Sequence, residues 1–239
     1  MKKLCIMNEK ANQTMIKNIE ALGFQVLTMP AHPNVSGACS GHPDISFCRI
    51  AQDTLIYAEN CNSDFIATLK KWGLKMIPGK TPLQSQYPYD IPYNGVRIGQ
   101  YFLHNLRYTD QVVTKMCQEM GLEMLPVNQG YTCCSTAVVR EDLAITADVG
   151  IAKALQSTKK IKTLLISPQK EIQLPGMDYG FIGGATGRMD DHTFVVTGDI
   201  KHLENGKEIQ EFLRKNDVQL INLTHEKPVD LGTLLFFTL

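Results

Sequence analysis

Thr14–Pro30 reads TMIKNIEALGFQVLTMP, and its shape returns at Asp64–Pro78 (DFIATLKKWGLKMIP) and Asp110–Pro126 (DQVVTKMCQEMGLEMLP). Each stretch is an amphipathic helix followed by a short apolar strand that stops at proline. The turns between them are Leu22-Gly23-Phe24, Trp72-Gly73-Leu74 and Met120-Gly121-Leu122, so the turn glycines stand 50 and 48 residues apart. Glycine closes a helix at low cost because it enters the left-handed region without a Cβ clash. Two weaker copies occupy Gly150–Ser167 and Lys207–Leu223. Recurrence at this period predicts a repeat architecture.

Two strand-like runs precede each later helix: Ile45–Ile50 with Thr54–Ala58, Val96–Gly99 with Tyr101–His104, Ala137–Arg140 with Leu143–Thr146, and Phe181–Gly184 with Phe194–Thr197. They are short, rich in β-branched and aromatic residues, and bounded by polar ones. Asn12, Ser63, Thr109, Asp148 and Asn205 stand where helix N-caps are expected, and Asp199 precedes another helical segment. The unit is strand, strand, helix, strand. Four units are complete. A fifth is split between residues 226–239, which supply the strand Thr233–Leu239, and residues 1–30, which supply the strand Lys3–Met7 with the first helix and strand. Joining the termini leaves few open sheet edges. The expected fold is a single α/β domain over 1–239, a five-bladed α/β propeller closed by its terminal strands.

Composition agrees with one large domain among 239 residues. Lys plus Arg equals Asp plus Glu at 24 each, which argues against a nucleic-acid partner. No apolar run is long enough for a membrane span, and the N-terminal MKKLCIMNEK has no signal-peptide core. Seven cysteines without zinc or CxxC spacing read as reduced thiols, so a cytoplasmic protein is expected.

The first strand of each unit should line the central axis, with the residues at its start facing a shared cavity. The matching segments are Gly41–Phe47, Tyr87–Asn94, Gln129–Thr136, Tyr179–Gly187 and Lys227–Leu234. They hold His42, Asp44, Asp90, Asn94, Gln129, Cys133, Cys134, Gly183, Gly184 and Asp230. Carboxylates grip a guanidinium or amidine bidentately, a thiolate attacks its central carbon, and an imidazole moves protons. These groups therefore predict a small cationic ligand, with no cofactor and no metal. His32, His104, His192, His202 and His225 lack metal-ligand spacing.

Five such units with polar axial motifs resemble the pentein fold of guanidino-group modifying enzymes: arginine deiminases, dimethylarginine dimethylaminohydrolases, agmatine deiminases and amidinotransferases. His42-Pro43-Asp44-Ile45-Ser46-Phe47 has the His-x-Asp-x-x-Phe form of that superfamily, and Cys133-Cys134 lies two repeats later. The family's Cys normally closes the last repeat, where this chain has Val229-Asp230-Leu231-Gly232-Thr233. The resemblance implies Cys134 as nucleophile, with its pKa lowered by His42 or by a bound cation. It implies His42 as acid/base, and Asp44, Asp90, Asn94, Gln129, Asp230, Gly183 and Gly184 around the substrate. A hydrolase or amidinotransferase is one expectation. The other is a non-catalytic pentein that binds a macromolecular partner or small ligand, like the ribosome anti-association initiation factor. Each residue also has a plain structural role open to it: turn capping for His42, Asp44, Asp90 and Asp230, burial for Cys134, and close backbone approach for Gly183 and Gly184.

Overall fold

The computed structural model describes residues 1–35 and 37–239. The N-terminal segment runs β1 (Lys3–Asn8), α1 (Gln13–Ala21) and β2 (Gln25–Met29). A one-turn helix, α2 (Pro43–Ser46), leads into β3 (Phe47–Ala51), β4 (Thr54–Tyr57), α3 (Ser63–Trp72) and β5 (Lys75–Pro78). The next unit is β6 (Val96–Ile98), β7 (Tyr101–His104), α4 (Gln111–Glu119) and β8 (Glu123–Pro126). Then come β9 (Thr136–Arg140), β10 (Leu143–Thr146), α5 (Val149–Ser157) and β11 (Lys162–Leu165). The last full unit is β12 (Thr186–Asp190), β13 (Thr193–Val196), α6 (Gly206–Lys215) and β14 (Gln219–Asn222), followed by β15 (Leu235–Thr238).

These strands form five three-stranded sheets: β15-β1-β2, β3-β4-β5, β6-β7-β8, β9-β10-β11 and β12-β13-β14. In each, the middle strand pairs antiparallel with one neighbour and parallel with the other. The parallel partner is reached through a helix, as a parallel crossover requires. In the first sheet Leu4 stands opposite Phe237 and beside Gln25, so both chain ends share one sheet. The sheets are separate hydrogen-bonded units, and no closed sheet joins them among the described residues. Residues of β3, β6, β9, β12 and β15 nevertheless line one cavity of about 610 Å³.

Each helix docks through one narrow apolar stripe: Met15 and Ile19, Ile66 and Leu69, Val113 and Cys117, Ile151 and Leu155, Ile209 and Leu213. Spacing of three or four residues puts each pair on one helical face. A buried Ile or Leu stabilises by roughly 1.5–3 kcal/mol. Middle strands are nearly wholly buried, whereas the helix-linked strands β5, β8 and β11 are exposed at both ends. The turn glycines Gly23, Gly73 and Gly121 have φ of +86°, +104° and +67°. In the two weaker copies Lys159 and Asp217 occupy the same left-handed position, at φ 57° and 56°.

Several boundaries differ from expectation. Phe181–Gly184 is a turn, and the first strand of its unit begins at Thr186. Ala185 N bonds Phe181 O at 3.1 Å and Gly184 N reaches across to Cys134 O at 3.0 Å, so these amides are not free for a ladder. Ile45 and Ser46 likewise belong to α2, not to the following strand. Asn12 and Asp148 cap as expected. The caps of α3 and α4 are Asn62 and Asp110, one residue from Ser63 and Thr109, because those side chains accept Phe65 N and Val112 N. Asn205 holds the cap position but turns its side chain to Ser167 N, and Asp199 caps a short 3-10 turn through Lys201 N. Among the described residues no helix is long and apolar enough to cross a membrane.

Candidate active site

Pro43, at the first position of α2, fixes the start of that single turn and sets His42 and Asp44 on either side of it. Asp44 N donates to Gly232 O at 3.1 Å, which ties α2 to the C-terminal segment. Cys133 and Cys134 arrive on the turn before β9. Asn94, before β6, joins the two. Its Nδ2 donates to Asp44 O at 2.8 Å and to Cys134 Sγ at 3.3 Å, and its Oδ1 accepts Cys133 N at 2.9 Å and Cys134 N at 3.3 Å. The amide is thereby fully used within the protein, which makes Asn94 a clamp on the site and not a contact for a ligand.

His42, Asp44 and Cys134 each bring a side-chain N, O or S atom within 4.8 Å of the other two, and all three residues are buried. Among the described residues neither ring nitrogen of His42 has a hydrogen-bond partner, nor does Asp44 Oδ1. Buried polar atoms are nearly always paired, so a group of orphaned ones marks a place where something else binds. Asp230 stands behind the imidazole, its Oδ1 3.8 Å from His42 Nδ1. Two backbone amides hold that carboxylate, Phe181 N at 2.8 Å and Gly232 N at 3.0 Å.

Asp90 takes the Tyr131 hydroxyl on Oδ2 at 2.6 Å and leaves Oδ1 unpartnered. Tyr131 begins a run of aromatic rings, with Tyr87 at 5.8 Å and Phe181 at 6.4 Å between centroids, and Tyr179 beyond Phe181. Gly183 and Gly184 are required by close approach. A Cβ on Gly183 would stand 2.3 Å from Cys133 O, and one on Gly184 1.9 Å from Asp230 Oδ1. Gln129 lies apart, bonding Asp148 Oδ2 at 3.3 Å and lining a second cavity of about 150 Å³.

Thr233 completes the cluster and carried no sequence signal beyond the Asp230-Leu231-Gly232 turn before it. It sits at φ 63°, which is strained for a β-branched residue. Its hydroxyl lies 2.8 Å from Asp44 Oδ2, 3.1 Å from Gly183 O and 3.8 Å from Cys133 Sγ. Strain retained at a polar cluster is a mark of function. Asp44, Cys133 and Thr233 also form part of the wall of the 610 Å³ cavity.

Burial pushes the Asp44 carboxyl up, and Asp230 adds to this against the opposing pull of His42. Burial also raises Asp90, against the Tyr131 hydrogen bond. Cys134 is pushed well above an ordinary thiol, first by burial and then by Asp44 and Asp230. The nearby Cys39 rises to about 12 by burial and by the Asp230, Asp44 and Asp90 charges. The expected lowering of the Cys134 pKa is therefore not a property of the protein alone. Two carboxylates and low polarity oppose the thiolate, and only an added positive charge would reverse the balance. The donor set of imidazole, carboxylate and thiol is also one that a zinc-like ion accepts. All seven cysteines are free of disulfides.

A family model described as a family of unknown function, DUF6873, matches residues 6–235. The chain belongs to the DUF6873 family. No curated protein matches this DUF6873 chain in sequence. In structure it is similar to an amidinotransferase of the saxitoxin biosynthetic pathway from Microseira wollei, with TM-score 0.55 and 13% identity over 91% of this chain and 87% of that one. It is similar to the inosamine-phosphate amidinotransferase of Streptomyces griseus, with TM-score 0.57 and 12% identity over 92% and 75%. A dimethylarginine dimethylaminohydrolase, solved as an adduct with 4-chloro-2-hydroxymethylpyridine, gives TM-score 0.57 and 11% identity over 93% and 92%. The DUF6873 chain has the fold of the pentein superfamily.

Proposed function

We propose that this DUF6873 protein is an enzyme that binds a small guanidine or amidine and cleaves a C–N bond through Cys134, as a hydrolase or an amidinotransferase. The observation that carries this reading is the buried triangle of His42, Asp44 and Cys134, with its unpartnered polar atoms. Burial raises the thiol first and Asp44 adds to it, so a guanidinium held against Asp44 and Asp90 brings a positive charge beside the thiol and favours the thiolate. Cys134 Sγ then bonds to the central carbon, the thiol proton passes to His42, and the tetrahedral adduct forms. The C–N bond breaks, and the nitrogen leaves as an amine carrying the proton from His42, which Asp230 orients. Water, or an acceptor amine, attacks the amidino-thioether, gives its proton to His42, and releases the thiol. The structural relatives are amidinotransferases and a dimethylarginine dimethylaminohydrolase, which favours this chemistry over a purely structural role.

The test compares a haloacetamidine with the uncharged haloacetamide on the folded protein. The cationic reagent should alkylate Cys134 at least about tenfold faster, and Cys134→Ser should abolish the labelling. Equal rates for the two reagents would remove the cation from the reading. One other occupant is favoured by the same triangle, a thiophilic metal ion. Stoichiometric zinc in protein purified without chelator, lost in His42→Ala, would decide for it.

We infer further that residues 1–239 form one domain whose five sheets are blades of a propeller closed by the split unit. The pairing of β15 with β1 and the contribution of all five first strands to one cavity support it. Deleting Lys3–Met7 should then unfold the whole chain; a truncated form that keeps its thermal midpoint would refute the ring. Free thiols throughout support a cytoplasmic location.

A further inference from the structure

The 610 Å³ cavity has a chemistry of its own, away from His42 and Cys134. Strand register makes five positions equivalent on the first strands: Arg49 faces Leu55, Arg97 faces Phe102, Val138 faces Ala144, Arg188 faces Phe194 and Phe236 faces Cys5. All five line the cavity, and three of them are arginines from three different sheets. Guanidinium groups brought together in this way repel one another unless an anion joins them. Only Arg188 has a carboxylate partner among the described residues, the exposed Asp191. Arg49 donates to Gln52 O at 2.9 Å and stacks on Phe237 with its guanidinium carbon 4.5 Å from the ring centre. Arg97 donates to Ile50 O at 2.7 Å and Gly99 O at 3.0 Å. Each guanidinium has five N–H donors, so both keep unused ones.

Two further observations point to a ligand. Burial, with Arg188 alongside, pulls the Arg49 guanidinium down to about 10, so its charge is held at a cost. Thr136 also lines the cavity, and its buried hydroxyl has no hydrogen-bond partner among the described residues. Four acids also line the cavity. Glu141, Asp190 and Asp191 are exposed, Asp190 accepting His192 N at 2.8 Å and Asp191 pairing with Arg188, and the buried Asp44 accepts the Thr233 hydroxyl at 2.8 Å. We infer that this cavity is a binding site for a multivalent oxyanion, a phosphate or polycarboxylate group, held by Arg49, Arg97 and Arg188 with the Thr136 hydroxyl beneath it. Planar guanidinium forks suit bidentate recognition of such oxygens. The volume accommodates a phosphomonoester or a tricarboxylate as well as the free ion.

The three arginines take no part in the chemistry proposed for Cys134, which is not in the cavity wall, although Asp44 is. Isothermal titration with inorganic phosphate, with a sugar phosphate and with citrate, at constant ionic strength, tests it. All three should bind and raise the thermal midpoint, while arginine does not bind there. Tighter binding of the sugar phosphate than of inorganic phosphate identifies an organic phosphate as the ligand; the reverse identifies the free ion. Arg97→Gln should weaken binding about 10- to 100-fold, the loss of a charged hydrogen bond. Arg97 also bonds backbone, so Arg188→Gln, a change at a half-exposed position, is the second variant and should weaken binding with the midpoint of the free protein unchanged. Cys134→Ser should bind as the parent does, which separates failure of this site from failure of the guanidine reading. No binding by any of the three anions to folded protein, or binding indifferent to both arginine variants, overturns the inference.

Discussion

Replacing Asn94 by alanine removes a side chain that is wholly buried and makes four contacts across three segments of the site. The cost can be worked from what loses a partner. Cys133 N keeps a second acceptor, Asn94 O at 2.9 Å, because that bond is to the main chain. Cys134 N and Asp44 O lose the side-chain partner that joins them. A buried polar group left unsatisfied costs about 1–3 kcal/mol, so the pair should cost roughly 2–6 kcal/mol. That is a large part of the 5–15 kcal/mol typical of a folded domain. Urea denaturation followed by circular dichroism measures it as a lowered midpoint with the slope unchanged. Asn94→Asp separates the two halves of the clamp: it keeps the acceptor for the two amides and loses both donors, with an added charge beside Asp44. It should be destabilised at neutral pH and recover in mild acid. A loss below about 1 kcal/mol for Asn94→Ala would show that the three segments hold their places without the clamp, and the account of the site would fail.

Lys159→Gly and Asp217→Gly should each stabilise by about 0.5–1 kcal/mol, since both positions are left-handed; unchanged or lower thermal midpoints would count against strain at those turns. His104 is held down to about 4 by burial, so the folded state binds fewer protons than the unfolded one between pH 6.5 and 4. Stability should fall as pH drops through that window, by up to about 3 kcal/mol, and His104→Gln should flatten the slope. Asp44 is shifted the other way, so its ionisation destabilises as pH rises above the ordinary carboxylate range; Asp44→Asn should therefore gain stability at neutral pH while losing any guanidine binding, and a loss of stability would contradict the burial argument. Without a bound cation, Cys134 should react with iodoacetamide at pH 7 more slowly than a free thiol of pKa ~8.5, as followed by mass spectrometry of the labelled peptide.

The helices and their following strands were legible because both signals are local. A stripe such as Ile209 and Leu213 is written in spacing alone, and Gly23, Gly73 and Gly121 mark where each helix must stop. The caps at Asn62 and Asp110 were missed by one residue because Ser63 and Thr109 are equally good cap types, and only the hydrogen bond to Phe65 N or Val112 N decides. Phe181–Gly184 read as a strand because apolar and aromatic residues signal burial, and burial does not distinguish a strand from a turn wedged between two others. What settles it is tertiary: Asp230 takes Phe181 N, and Cys134 O takes Gly184 N.

The site divides along the same line. His42, Asp44, Cys134 and Asp230 were identifiable as residue types placed at the starts of equivalent strands, and the structure sets them side by side. Gln129 shared the positional argument and does not share the cluster, since Asp148 draws its amide away. Thr233 and Tyr131 were invisible, because a threonine hydroxyl on Asp44 and a phenol on Asp90 are consequences of packing between segments far apart in sequence. The arginine positions were hidden for a different reason. Arg49, Arg97 and Arg188 stand in segments with no common motif, and only ladder register makes them equivalent. Composition gave no hint either: a chain with balanced charge can still gather three guanidiniums in one cavity while an acidic group, Asp44, lines another part of the same wall. Net charge is a sum over the surface, and a binding site is a place where the fold separates that sum into its parts.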